Sequence, residues 1–149
     1  MEQQEKLERG RVVSIAREWL GTPYHNNAEV KGAGVDCIRF IKGCYVNAGL
    51  IPDFELPHHS PQWALHRKLE MAMVGILRYG HEVGAPLPGD IAMFKIGLCW
   101  GHSSIVIDWP TIIHAMPPAC RYSNAFVQSD LVKISTRDAP RFFSIWPRS

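Results

Sequence analysis

At 149 residues the chain has the length of one domain, 1–149, with a real hydrophobic core, since folds of this size bury roughly 70% of the surface their unfolded chains expose. Hydrophobic residues at 46% and charged residues at 20% exclude a disordered or fibrous protein. A net charge of +2 without any run of Lys or Arg argues against a nucleic-acid partner, and no apolar run is long enough to span a membrane.

The start, Met1 to Lys6, is polar and acidic and lacks the basic end and apolar centre of a secretory signal. A first helix is predicted from Leu7 or Gly10 to Leu20, because Val12, Val13, Ile15, Ala16, Trp19 and Leu20 recur at helical spacing and Gly21-Thr22-Pro23 stops it. Tyr24 to Val35 reads as a loop rich in Asn and Gly. A second helix follows, with Asp36 as N-cap, Cys37, Phe40, Ile41, Cys44, Tyr45 and Ala48 turned inward, and Gly49 as its end. Ser60-Pro61 is a good N-cap and first-turn pair for a third helix, Pro61 to Tyr79.

From the turn-rich segment Gly84 to Gly89 onward the period changes to two. Asp90 to Lys95, His102 to Asp108 and Thr111 to Met116 are predicted as three antiparallel strands. Further strands are expected at Ala119 to Tyr122 and Arg141 to Trp146, with a helical turn near Ser129-Asp130-Leu131. Helices first and strands afterwards define an α+β fold, N-terminal helices packed on a C-terminal antiparallel sheet.

The chemistry is concentrated in Gly34-Val35-Asp36-Cys37-Ile38-Arg39, which sets a cysteine where a loop becomes a helix. The unpaired amides and dipole of a helix N-terminus favour the thiolate, and an imidazole from the later strands, His102 or His114, can take the proton. Cys37, Cys44, Cys99 and Cys120 are too few and too scattered for a disulfide framework and contain no C-x-x-C pair, so all four read as thiols made in a reducing compartment.

Several landmarks in order resemble the NlpC/P60 family of papain-like cysteine peptidases: Gly21-Thr22-Pro23-Tyr24, Asp36-Cys37, Pro88-Gly89-Asp90, Gly101-His102, and His114 in the next strand. They span most of the chain. The segment Gln62-Trp63-Ala64-Leu65-His66 resembles the compact phage-borne branch. Where the family pattern reads Asp-Cys-Ser-Gly or Asp-Cys-x-Gly, this chain has Ile38 and Arg39. Arg39 there either crowds the cleft or supplies a charge to a thiolate or a substrate carboxylate.

The resemblance implies a peptidoglycan hydrolase acting on stem peptides, at the bond between the D-glutamate side-chain carboxyl and a diamino acid, with no cofactor. Phage tail proteins would be partners in a virion. Made without a signal peptide, the enzyme would reach the wall as a virion component or after export. Competing readings are a catalytically impaired tail-tip or assembly component, another thiol-dependent amidase or acyltransferase, and a secreted antibacterial effector.

Cys37 is then the expected nucleophile, His102 the general base and His114 the residue that orients it. Tyr24 is similar to the family tyrosine near the nucleophile and is expected to contact thiolate or oxyanion. Arg39 is the expected partner for a substrate carboxylate. The spacing of Cys37, His102 and His114 is too long for a structural zinc site, so no metal is expected. Strand register tests the histidine pair. Pairing Asp108 with Thr111 throughout would turn the two histidines to opposite faces, whereas pairing Ile107 with Thr111 brings Ser104 opposite His114 and His102 diagonal to it.

Overall fold

The computed structural model describes residues 1–56, 78–96, 99–116, 126–132 and 139–147, with 96 and 99–101 by their backbone alone. The expected helix Pro61 to Tyr79, apart from its last two residues, the expected strand Ala119 to Tyr122, and the Trp63 segment lie outside those residues.

Helix α1 runs Gln3–Glu18, starting about one to two turns before the expected Leu7 or Gly10. Its polar start is helical because Glu5 and Arg9 pair one turn apart at 2.9 Å and the buried Arg9 guanidinium meets Asp90 at 2.9 Å. Trp19 caps its C-terminus. The expected loop that follows contains a small hairpin, β1 (Glu29–Val30) and β2 (Gly34–Val35), too short to leave a period in the sequence. Helix α2, Cys37–Asn47, starts at its Asp36 cap as expected. It stops before Gly49, whose φ of 74° is open to glycine at no steric cost.

Phe40, Ile41, Cys44 and Tyr45 of α2 are fully or almost fully buried, each apolar side chain contributing about 1.5–3 kcal/mol by leaving water. Gly43 lets the two helices approach closely: a Cβ there would lie 2.8 Å from Trp19 Cζ2.

The remaining strands are β3 (His81–Val83), β4 (Ile91–Ile96), β5 (Cys99–Asp108), β6 (Thr111–Ala115), β7 (Val127–Leu131) and β8 (Arg141–Ser144). They form one sheet in the order β3-β8-β4-β5-β6-β7, every pairing antiparallel. The helical turn expected near Asp130 is instead the strand β7, which pairs with β6 along its whole length. Alternation places Ile91, Met93, Ile105, Ile113 and Phe143 in the core shared with the helices and Ala92, Val106 and Ile112 in a second cluster on the opposite face. No described helix is long and apolar enough to cross a membrane.

Candidate active site

Cys37 is the first residue of α2. The preceding loop is bound to the helix start by Asp36, whose Oδ1 accepts from Arg39 N–H at 2.9 Å while Oδ2 accepts from Asn27 N–H at 2.9 Å and from Arg39 Nη1 at 2.7 Å. Arg39 also donates Nη2–H to the Leu56 carbonyl at 3.0 Å. Where the sequence suggested a charge offered to a substrate carboxylate, the structure has the Arg39 side chain buried and its guanidinium tying the N-cap to the chain beyond α2. A side chain three residues after Asp36 lies one helical turn above it, which is what makes this internal pairing possible.

Tyr24 is set by backbone pairing on both of its sides, Val35 N–H donating to the Pro23 carbonyl and His25 N–H to the Val35 carbonyl, both at 3.0 Å. That fixes its hydroxyl against the Cys37 backbone N–H and thiol. Burial, followed by the negative charges Cys37 and Asp36 can carry, raises the phenol well above its ordinary range, so it remains a hydrogen-bond donor.

Strand β5 is adjacent to Cys37. Ser103 Oγ donates to the Cys37 carbonyl at 3.4 Å, and the N–H groups of Ser103, Cys37 and Ile38 act on the sulfur and favour its ionised form. They are outweighed. Burial, and after it the Asp36 carboxylate, push the thiol up to about 12. Desolvation exceeds the help of three amides when the thiol is 4% exposed.

His102, the residue before Ser103, begins a second group of titratable side chains. Its Nε2 lies 2.8 Å from His114 Nδ1, and both rings are buried. Burial, then the neighbouring His114, bring His102 down to about 3. His114 is lowered by burial and partly restored by Asp130, whose Oδ2 lies 2.7 Å from His114 Nε2 and also accepts from the Gln128 amide. Tyr24 and Ser103 thus both meet Cys37, while His102, His114 and Asp130 form a chain starting one residue earlier on the strand that carries Ser103.

The register that unites the histidines combines both sequence alternatives. Asp108 does pair with Thr111, but the ladder then shifts, and Val106 pairs with Ile112 and Ile105 with Ile113. Ile107 is the extra residue of a bulge, and continuing the ladder brings Ser104 level with His114. A second shift separates the pairs Phe94–His102 and Lys95–Trp100, so β5 is irregular on both sides of His102 to Val106, a means of re-aiming side chains. Asp130 was missed by sequence reasoning. Its only signal was its place on a strand with Gln128 two residues earlier, which the register sets opposite His114.

Among the described residues no group of three His, Cys, Asp or Glu is arranged to hold a metal ion.

Structural comparison identifies the fold. The NlpC/P60 domain of the peptidoglycan hydrolase SagA superposes with a TM-score of 0.57 at 18% identity, over 91% of this chain and 96% of that one. The peptidoglycan hydrolase RipB from Mycobacterium tuberculosis gives 0.62 at 14%, over 99% of this chain and 70% of that one. NlpC2 from Trichomonas vaginalis gives 0.61 at 17%, over 91% of this chain but 45% of that one. The chain has the NlpC/P60 fold, an α+β architecture as expected. Neither a protein-family model nor a curated protein sequence matches it.

Proposed function

We propose that this chain is an NlpC/P60 cysteine peptidase that hydrolyses peptidoglycan stem peptides, with Cys37 as nucleophile, His102 as general base and His114 as its orienting residue. The observation that carries the reading is the direct His102–His114 bond of 2.8 Å, on the strand that contacts Cys37, within this fold. Because burial favours the neutral thiol and the neutral imidazole, the proton moves during attack rather than before it. Cys37 S–H passes its proton to His102 Nδ1 as sulfur adds to the amide carbonyl. The tetrahedral oxyanion is met by first-turn amides and the Tyr24 hydroxyl.

Collapse breaks the C–N bond, and His102 returns the proton to the departing amine, leaving a thioester. Water, giving a proton to His102, then releases the carboxylic acid, and the thiol is restored. The bond proposed, between the D-glutamate side-chain carboxyl and a diamino acid, and the placement on a phage or prophage tail rest on the sequence resemblance. An impaired site was suggested by Ile38 and Arg39; of these, the Arg39 guanidinium is engaged with Asp36 and the Leu56 carbonyl, which speaks against Arg39 as an obstruction.

Digestion of purified peptidoglycan by the wild type and by Cys37→Ala, followed by mass analysis, tests the reading. New stem-peptide fragments are expected from the wild type alone. Identical fragment patterns with both proteins would overturn it.

A further inference from the structure

We infer that Asp130 is a positioning residue that fixes the tautomers of both histidines through a continuous hydrogen-bonded chain, so that His102 is left with an unprotonated Nδ1. This rests on the cysteine-peptidase reading above and deepens it. An ionised carboxylate only accepts. Asp130 Oδ2, 2.7 Å from His114 Nε2, therefore requires the His114 proton on Nε2. A neutral imidazole carries one proton, so His114 Nδ1 is left as an acceptor. That nitrogen is 2.8 Å from His102 Nε2, which must then be the protonated one. His102 Nδ1 is left with its lone pair, the form a general base needs.

Without the carboxylate, the two-histidine bond is satisfied equally well in reverse, with His114 donating from Nδ1 and His102 accepting at Nε2. His102 Nδ1 would then carry a proton and could not accept one from the thiol. The direction of the chain is thus set by its last member. Asp130 also places a negative charge at the far end of the chain as the imidazolium forms, the electrostatic help that His114 as a neutral third residue does not supply.

Gln128 supports the assignment. Its amide donates to the same Oδ2 that faces His114, so this position is required to be an acceptor from two sides. Asparagine at 130 would be held with its carbonyl oxygen there, because turning its NH2 inward would oppose two donors. Asp130→Asn accordingly keeps the direction of the chain and removes only the charge, whereas Asp130→Ala removes both. The Asp130 side chain is 41% exposed on an edge strand, so neither change empties the core.

The test combines imidazole 15N NMR, which distinguishes protonated from unprotonated ring nitrogens, with kinetics on a soluble stem-peptide fragment at neutral pH. In the wild type, His102 and His114 should both be Nε2-protonated. Asp130→Ala should mix the tautomers and lower kcat on the order of 10- to 100-fold, the range seen when a partner behind a working group is lost, with KM unchanged. Asp130→Asn should retain the tautomers and recover part of kcat. Wild-type tautomers in Asp130→Ala, whatever its activity, would overturn the inference. Absence of turnover in the wild type, with tautomers that still follow residue 130, would sink the peptidase reading and uphold the positioning role.

Discussion

His102 and His114 lie 2.8 Å apart through Nε2 and Nδ1 because one surplus residue, Ile107, interrupts the ladder between their strands. The hairpin closes with the Asp108–Thr111 pair, which in a regular ladder would send the two side chains to opposite faces. The bulge restores them to one face. If the assigned roles hold, His102→Ala should lower kcat about 100- to 10,000-fold, the usual contribution of a general base. His114→Asn should retain measurable turnover, since the residue positions the base rather than accepting the thiol proton. Rates on a soluble stem peptide check this, and equal loss in the two variants would show that the roles are not divided in this way.

Much of this site could be read from residue types and spacing. An N-cap acid before a cysteine, and a histidine in each of two period-two segments, leave local signals, and α2 and the β4-β5-β6 meander fall where those signals are. Bulges leave none, since the pairing of Asp108 with Thr111 is equally compatible with either facing of the histidines. Asp130 was hidden for another reason. Only Val127 of strand β7 is buried, and the polar residues after it alternate half-buried and exposed positions, so Ser129-Asp130 resembled a turn. Strand β3 has two of its three residues exposed, and its existence depends on β8, 60 residues away in sequence. The role of Arg39 depended on the Leu56 carbonyl 17 residues downstream, which no local pattern announces.

The Arg39–Asp36 pair yields a stability prediction. Removing one member of a buried ion pair leaves the other uncompensated and typically costs about 3–5 kcal/mol. Asp36 keeps two backbone donors, Asn27 and residue 39, so Arg39→Ala should fall at the low end of that range, about 3 kcal/mol. Urea denaturation measures it. The ratio of KM values for carboxylate-bearing and amidated stem peptides should be unchanged, and a selective rise for the carboxylate form would return Arg39 to the substrate.

Acid should weaken the fold through His102. Its folded value, about 3, lies below the ordinary 6.5 because burial favours the neutral ring. Below 6.5 the unfolded chain therefore binds a proton that the folded chain does not. The associated stability is complete above pH 6.5 and declines as pH falls toward 3, by on the order of 1 kcal/mol per pH unit. Urea midpoints from pH 7 to pH 4 should fall more steeply for the wild type than for His102→Asn. Other titrating groups move both proteins, so the difference between their slopes isolates His102. Parallel slopes would mean that the ring charges freely in the folded protein.

Thiol reactivity discriminates between a resting ion pair and proton transfer during attack. A preformed thiolate–imidazolium pair reacts with iodoacetamide at a rate that is already flat in mildly acidic solution. Cys37, held up to about 12 by burial and Asp36, should instead show a rate rising about tenfold per pH unit between pH 6 and 9. It should still react before Cys44, which is completely buried and raised by the same desolvation with Glu18 as its charged neighbour, whereas three backbone amides support the Cys37 sulfur. Replacing Cys99 and Cys120 by Ser confines labelling to these two thiols, and mass mapping reads the sites. A plateau for Cys37 above pH 5 would establish the ion pair, and faster labelling of Cys44 would remove Cys37 as the nucleophile.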